Sequence, residues 1–445
     1  MNINKWTAGL AAMGVVSLPA RSAADEKVIF SPIDTAVSST ILSGYVDTSA
    51  HWVPGTGNFT PPAFAFNTPA KQDGFNLNSV KLALEKPLLE EDWSTGYKAE
   101  MLFGPNAALL GTLPISGNAG TSQIALKQAY VDVRVPVGNG LDFKVGVFDA
   151  ILGYESTDGV NNPNYTRSYG YTIEPTTHTG ILATYSLNDM LGVSVGVANS
   201  YGPAVGGSGV NSPAPSGTPS TDRAFYLKGE SYKTYMAALA FRAPESFGFL
   251  EGSTLYAGVI NGFNGQAATG DTVLLPSGSA APVRGADQTS WYVGATVTTP
   301  VTGLKVGASY DYVNLSNQPL LANGSSGYRS AAALYASFQA TEKMSVHARA
   351  EYFTQADVYA LYTLPFGTSK ISAGLPTKVF AATATLQYDL FKNVLSRLEF
   401  RWDHSADGRY AYGGAPIGNI GGASPIANSD RRNAFLLAAN IVYKF

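Results

Sequence analysis

The densest set of charged and polar side chains in this sequence lies between residues 150 and 176. It contains the acids Glu155, Asp158 and Glu174 and the base Arg167. Carboxylates that face guanidinium groups across a water-filled space would create a transverse field, which orders water and selects solutes by charge and dipole. The alternative is a surface loop whose Asn and Gly residues serve only turns. The bases that could face these acids lie far away in the chain: Arg134, Arg349, Arg397 and Arg401.

Catalytic chemistry finds little support. The chain has four His, which are scattered at His51, His178, His347 and His404. No Ser stands in a Gly-x-Ser-x-Gly elbow, and no His-x-x-x-His or Cys pattern indicates a metal site. We therefore expect no catalytic residue, no metal and no cofactor. A hydrolase at the rim of the fold is the remaining enzymatic alternative, and it would have to use His51, His178 or His404.

The charged residues outside this region alternate with apolar ones. In 343–354, Arg349 and Glu351 alternate with Val346, Ala350 and Tyr352. Period two is typical of a strand with two different faces. A charge facing lipid at the membrane midplane would cost about 2–4 kcal/mol, so charges on a membrane strand face a hydrated interior. The interior set that follows is Asp132, Arg134, Arg349, Glu351, Arg397, Glu399, Arg401 and Asp403.

About sixteen strands of roughly ten residues are predicted, which is the length of a tilted membrane strand. The segments are 41–50, 75–86, 95–104, 123–135, 141–149, 177–187, 191–200, 232–243, 253–262, 288–299, 304–314, 329–340, 343–354, 378–390, 394–404 and 431–445. Short and long connections alternate between them, so all long loops lie at one end. The pattern predicts an all-β, antiparallel, up-and-down transmembrane barrel with short periplasmic turns and long extracellular loops. The third long loop, 150–176, is the candidate constriction.

Composition favours the same class. The 445 residues include 25 Tyr, 21 Phe and 47 Gly, no Cys, and only 14% charged residues, which is about half the usual share for a soluble domain. Beyond the N-terminus, no stretch reaches the ~18 apolar residues of a spanning helix. The net charge of −3 argues against nucleic acid as a partner.

The N-terminal segment has the features of an export signal. Lys5 is followed by an apolar run to Leu18, Pro19 breaks the run, and Ser22-Ala23-Ala24 offers small residues for cleavage. We predict a signal peptide over 1–24, a periplasmic leader over 25–40 and the barrel over 41–445. The protein is then exported, and a barrel of this kind belongs in the outer membrane of a Gram-negative-type bacterium.

Several segments resemble the OmpL-like β-barrel porin-2 family. They are Leu42-Ser43-Gly44-Tyr45-Val46-Asp47, Asp73 to Leu82, Gln128 to Val131, Gly146 to Asp149, Gly153-Tyr154-Glu155, Asn162 to Tyr169 and His178-Thr179-Gly180. The resemblance covers most of the chain after the signal peptide and is strongest from Leu42 to Gly180. It implies an outer-membrane porin-like barrel. It also implies structural or pore-loop roles for Tyr154, Glu155, Arg167, Ser168 and His178.

The expected function is passive diffusion of small hydrophilic solutes or ions through a loop-narrowed, charge-lined lumen. A homotrimer is expected by analogy with general porins. The alternative is a structural or adhesive barrel with a plugged lumen.

The last segment alternates apolar residues from Phe435 to Phe445. A lipid-exposed open edge is not tolerated, so this strand must pair with the first. Tyr443 and Phe445 then lie at the membrane interface, where we expect the outer-membrane insertion machinery to recognise them.

Overall fold

The computed structural model describes residues 39–57, 73–108, 123–199, 233–264, 272–274, 280–282, 286–315, 326–356, 362–366, 369–373, 376–416 and 427–445. The predicted signal peptide lies outside the described residues, and so does the predicted leader except for residues 39 and 40.

Sixteen strands form one closed barrel in which each strand pairs antiparallel with its neighbours along the chain. The prediction of an all-β, sixteen-stranded antiparallel barrel is therefore confirmed. In chain order the strands are β1 Ile41–Trp52, β2 Gly74–Lys86, β3 Thr95–Phe103, β4 Ile124–Val135, β5 Leu141–Asp149, β6 Thr177–Ser186, β7 Leu191–Ala198, β8 Thr234–Arg242, β9 Thr254–Asn264, β10 Ala286–Thr298, β11 Leu304–Leu315, β12 Gly327–Gln339, β13 Met344–Gln355, β14 Lys378–Phe391, β15 Val394–Ser405 and β16 Asn433–Lys444.

The remaining elements are short and lie in the connections. Helix α1 spans Pro105–Ala108 and helix α2 spans Tyr169–Ile173, with 3-10 turns at Gly159–Asn161 and Glu245–Leu250. None of the helices in the described ranges has the length and hydropathy of a membrane-spanning helix. Three small two-stranded sheets extend the long loops: Thr272–Leu274 with Ala280–Pro282, Tyr362–Phe366 with Ser369–Ala373, and Ala415–Pro416 with Ala427–Asn428.

The barrel closes between its first and last strands. Tyr45 lies opposite Lys444, and Trp52 lies opposite Leu437. Beyond this ladder, Gly44 and Phe445 exchange two backbone hydrogen bonds of 3.0 Å. A Cβ on Gly44 would stand 2.6 Å from the Phe445 ring, so the absence of a side chain lets the ring lie against the strand.

The two faces of each strand differ as a membrane barrel requires. On β16, Phe435, Leu437, Ile441 and Tyr443 are exposed on the outside, while the alternate residues are buried inside. On β13, Arg349 and Glu351 are buried inside. The outer surface is thus apolar and the interior polar, which is the arrangement a bilayer selects.

Two bulges interrupt the alternation on the inner face. On β2, Ser79 lies opposite Asp47 and Leu77 opposite Thr48, so Asn78 is an extra residue. On β4, Gln128 lies opposite Glu100 and Leu126 opposite Met101, so Lys127 is extra. A bulge turns two consecutive side chains to one face, and Asn78-Ser79 and Lys127-Gln128 are all buried. Strict alternation would have left Lys127 facing lipid.

Candidate functional site

Residues 150–176, which we call the interior loop, connect β5 to β6 and fold into the barrel. The two ends of the loop meet, because the Ala150 amide donates a 2.9 Å hydrogen bond to the Thr176 carbonyl. Several polar side chains of the loop are almost fully enclosed: Asp158 and Arg167 are 1% exposed and Asn164 is 0% exposed. This burial identifies the loop as packed structure within the barrel, where its polar groups need partners.

Glu155 binds the wall at β12 and β13. Its Oε1 accepts a 2.8 Å hydrogen bond from Arg349 Nη1 and a 3.3 Å bond from the Tyr335 hydroxyl. Its Oε2 accepts a 2.9 Å bond from the Ser168 amide further along the loop. One carboxylate therefore joins two parts of the loop to the wall.

Arginine side chains of the wall bind carbonyl groups of the loop. Arg349 donates to the carbonyls of Thr166 and Arg167, at 2.8 and 3.1 Å. Arg401 on β15 also donates to the Arg167 carbonyl, at 2.6 Å. Arg397, nearer the start of β15, donates to the Gly159 and Asn162 carbonyls. These guanidinium groups satisfy backbone oxygens of the loop, of which, within the described residues, only that of Gly159 also accepts from a backbone amide, that of Asn162.

Carboxylates of the wall bind the amide groups of the same segment. Glu399 accepts from the amides of Tyr165 and Thr166, at 2.6 and 2.9 Å. Glu351 accepts from the Tyr169 amide at 2.6 Å, and Asp403 accepts from the Tyr169 hydroxyl at 2.8 Å. The alternating acids and bases of β13 and β15 thus match the alternating donors and acceptors of the loop backbone.

Asp158 anchors the loop to the opposite part of the wall. It pairs with Lys81 on β2, at 2.5 Å, and with Lys127, at 3.8 Å, and it accepts from the Tyr45 hydroxyl on β1 at 3.1 Å. Burial alone would raise the pKa of Asp158, but Lys127 and Lys81 together lower it below its ordinary value. The cluster is closed by Glu100 on β3, which pairs with both lysines.

Arg167 and Glu174 have different surroundings from the acids and bases above. Arg167 donates to the carbonyls of Tyr165 and Thr157 and stacks over the Tyr171 ring at 5.6 Å, so it braces the loop internally. Glu174 follows α2, and its carboxyl lies next to that of Asp311 on β11. Its carboxyl meets another carboxyl, not an arginine.

Asp132 and Arg134 lie on β4 towards the short-turn end. Arg134 pairs with Asp142 on β5 through two hydrogen bonds of 2.6 and 2.7 Å. Asp132 lies opposite Lys144 in the same strand pair and is partly exposed. The structure places this pair of positions on the wall, away from the cluster that holds Glu155.

The interior loop also makes an apolar contact with the wall at β9 and β10. Ile151 and Leu152 pack in a buried cluster with Tyr256, Ile260 and Tyr292. Further along, the Tyr154 hydroxyl lies 3.0 Å from Thr296 Oγ1, and its ring stacks on Tyr335 at 4.0 Å. The loop therefore contacts β9 and β10 as well as β1 and β2, which lie on opposite sides of the sixteen-stranded ring.

This arrangement can obstruct and subdivide a lumen. His51 lies on β1 and His178 on β6, while His404 on the outward face of β15 binds Asn433. Among the residues that the structure describes, no group of three or more His, Cys, Asp or Glu side chains could hold a metal ion.

Sequence reasoning missed the residues that bind Asp158. Lys81 and Glu100 alternate with apolar residues on their strands, as Arg349 and Glu351 do on β13. Their inward orientation could therefore have been predicted from the sequence. That of Lys127 could not, because a bulge breaks the alternation beside it. Tyr45 carries no charge, and the residue that it binds, Asp158, lies far away in the sequence.

Comparison with known proteins gives one family and several similar folds. Residues 39–445 match the sequence model of the family described as "Putative beta-barrel porin-2, OmpL-like". None of the curated proteins matches the chain.

Three solved structures illustrate the similarity of fold. The outer membrane channel DcaP of Acinetobacter baumannii is 13% identical with a TM-score of 0.53, over 91% of this chain and 97% of that one. The anion-selective porin from Comamonas acidovorans is 12% identical with a TM-score of 0.52, over 92% and 99%. OmpT of Vibrio cholerae, in its trimer form, is 11% identical with a TM-score of 0.50, over 91% and 99%. At these identities the likeness concerns the fold alone.

Proposed function

The chain belongs to the family described as "Putative beta-barrel porin-2, OmpL-like", and from this premise we propose that it is a passive diffusion channel for small hydrophilic solutes or ions. Its barrel is porin-like and of the outer-membrane class. A barrel of sixteen strands is wide enough to hold water, so an inward loop is needed to set a size limit. The interior loop has this role in our proposal.

One observation carries the proposal: wall side chains bind both carbonyl and amide groups of the interior loop. Arg349 and Arg401 hold the Arg167 carbonyl, and Glu399 holds the Tyr165 and Thr166 amides. A constriction that sorts solutes by size must keep a fixed cross-section, and a loop held along its backbone has one. The anchors that fix this cross-section in our proposal are the partly exposed Glu174 and the buried Glu155, Asp158, Arg167, Arg349, Glu351, Arg397, Glu399, Arg401 and Asp403.

We assign charge selection to wall residues that the loop does not cover. Asp132 is partly exposed, whereas Arg134 is buried and its charge is paired with Asp142 on β5. Lys144 is also partly exposed. Exposed charges on a lumen wall act on passing ions, whereas the buried pair of Glu155 and Arg349 largely cancels its own field.

A second candidate function has its own supporting observation. The interior loop contacts β1 and β2 through Asp158 and contacts β9 through Leu152. A loop attached on opposite sides would suit a plugged barrel with a structural or adhesive role, in which the long outer loops act. The two candidates differ in whether solutes pass.

The proposed setting follows from the family. The chain would be exported by a signal peptide over 1–24, inserted by the outer-membrane assembly machinery and surrounded by the lipid bilayer. A homotrimer is part of the proposal, supported by the fold shared with OmpT of Vibrio cholerae, whose structure is of a trimer form. A hydrolase role is not proposed, because the described histidines do not meet.

Liposome swelling tests the proposal. Vesicles that contain the folded protein should swell in neutral monosaccharides and progressively more slowly in larger oligosaccharides. The Arg397→Ala variant, which loses the contacts to the carbonyls of Gly159, Val160 and Asn162, should admit larger sugars. If vesicles with the unaltered protein do not swell but those with Arg397→Ala do, the plugged barrel is correct and the diffusion channel is wrong.

A further inference from the structure

Two carboxyl groups meet where the end of the interior loop touches the wall. Glu174 directly follows α2, and Asp311 points inward from β11. The two carboxyl groups lie within hydrogen-bonding reach of each other. Two glycines leave room for them: a Cβ on Gly153 would stand 2.4 Å from Glu174 Oε2, and a Cβ on Gly170 would stand 2.4 Å from Asp311 Oδ2.

Among the residues that the structure describes, no positive charge compensates this pair. The charged groups that act on Glu174 are Asp311 and Glu155, and Glu155 is itself paired with Arg349. Asp311 is 2% exposed, and its Oδ2 has no hydrogen-bond partner within the described part of the chain. The other titratable groups facing the pair are phenols, Tyr292 on β10 and Tyr171 in the loop.

A hydrogen bond between two carboxyl groups requires a proton, because a carboxylate only accepts. Two carboxylates at hydrogen-bond distance cannot both be ionised without a large cost, so one proton is shared between them. In agreement, burial and then the neighbouring Asp311 raise the pKa of Glu174 well above its ordinary value.

We propose that Glu174 and Asp311 form a proton-binding site that latches the end of the interior loop to β11. With the shared proton in place, the two carboxyl groups hold the loop and the wall together. When that proton is lost, two adjacent carboxylates repel each other, and the end of α2 next to Glu174 leaves β11 while Tyr169 stays bound to Glu351 and Asp403. The ligand of this site is a proton.

The direction of the pH effect follows from the direction of the pKa shift. The pKa of Glu174 in the docked loop is raised, so the latch is complete below the ordinary carboxyl pKa. It weakens as pH rises and is lost once pH has passed the raised value. Between the two values the docking equilibrium changes by up to about tenfold per pH unit for one proton.

An introduced cysteine can measure how often the end of the interior loop leaves the wall, because the chain contains no Cys of its own. Ile173 is 8% exposed and packs against Val313 on β11, so the thiol of Ile173→Cys is accessible only when the segment leaves the wall. Thiol reactivity itself rises with pH, so the rate is divided by that of Thr184→Cys on the partly exposed wall of β6. We expect this ratio to rise with pH by up to about tenfold per unit and then to level off.

Two variants identify the groups responsible. Adding Asp311→Asn or Glu174→Gln to Ile173→Cys removes one carboxyl and keeps a hydrogen-bonding side chain. The ratio should then be flat with pH in every variant that migrates as a folded, heat-modifiable barrel. A flat ratio with both carboxyls present, or a pH response that persists in both variants, would overturn the latch.

A cation is the other occupant that two carboxylates could take. The labelling ratio is therefore repeated with 1 mM calcium chloride, about a thousandfold above a micromolar sensor site, and with a chelator. A proton site predicts the same pH midpoint in both. A midpoint that moves by more than one pH unit with calcium would show a cation site and overturn the proposal.

The inference rests on the proposed function only for its effect on transport: if the protein is a channel, conductance should rise with the labelling ratio. The labelling ratio itself needs no solute to pass. A protein that does not conduct but whose labelling ratio depends on pH would contradict the channel and support the latch. A protein that conducts but whose labelling ratio does not change with pH would support the channel and contradict the latch.

Discussion

Arg349 on β13 donates a 2.8 Å hydrogen bond from Nη1 to Oε1 of Glu155, which lies 194 residues away in the sequence. Both side chains are fully buried, and Arg349 also binds Glu351 on its own strand. The pair joins the interior loop to the barrel wall at a place where neither charge can be hydrated. The position of the loop therefore depends on charged side chains of the wall.

Removing the arginine should free the middle of the interior loop. Breaking a buried ion pair by deleting one partner typically costs about 3–5 kcal/mol, because the other charge is left uncompensated. Arg349→Ala should still give a folded barrel, but its single-channel conductance should exceed that of the unaltered protein. Lys378→Ala, which removes an exposed cation from the outward face of β14, is the control and should change conductance little. Equal conductance in Arg349→Ala and the parent would show that the loop does not depend on this pair.

Lys127 should contribute to holding the interior loop, although the alternation of β4 alone would place its side chain towards lipid. It pairs with Glu100 at 2.9 Å and with Asp149 at 3.0 Å, and it helps to hold Asp158. Lys127→Met should expose the nearby buried Val160, measured as faster labelling of Val160→Cys in the Lys127→Met background. Lys305→Met is the matched change at an exposed position and should leave the labelling rate unaltered. If Val160→Cys is labelled at the same rate in the Lys127→Met and Lys305→Met backgrounds, Lys127 does not help to hold the loop.

Acid should loosen the Asp158 end of the loop. Since the pKa of Asp158 is lowered, its contribution to docking is present above the ordinary carboxyl value, about 3.9, and is lost as pH falls through the lowered value. Labelling of Val160→Cys by a pyridyl disulfide, which reacts in acid, should therefore increase below about pH 4 relative to Thr184→Cys. Unchanged relative labelling down to pH 2 would contradict the assigned role of the ion pairs.

The closure of the barrel should depend on its last residues. Phe445 pairs with Gly44 through two backbone hydrogen bonds, and its ring lies against Gly44. Deleting Tyr443–Phe445 removes these contacts and leaves the end of β1 unpaired, which a bilayer does not tolerate. We expect no heat-modifiable barrel, whereas Lys444→Gln should assemble normally. A deletion variant that still migrates as a folded barrel would show that closure does not require this pair.

The strands could be predicted because membrane burial imposes a regular pattern. The charges of β13 and β15 alternate with apolar residues, since lipid lies on one side and polar groups on the other. The ends of the strands were predicted less accurately than their middles. The strand predicted over 288–299 begins at Ala286, because pairing with β9 continues past the apolar segment.

The site was harder to predict because its partners come from most of the barrel. The acids of 150–176 and the arginines of β13 and β15 were recognised as chemically complementary, but no local pattern shows which acid meets which base. Glu174 was expected to face a base, whereas Asp311 lies beside it. Lys127 was hidden by a bulge, because one extra residue reverses the face on which later side chains lie.

Planar-bilayer recording of the purified, folded protein tests the central claim most directly. The account predicts a steady conductance that increases with salt concentration and that is smaller than the conductance of Arg349→Ala. A protein with the circular dichroism and heat-modifiable migration of an intact barrel, but with no conductance at any salt concentration, would contradict the proposed channel.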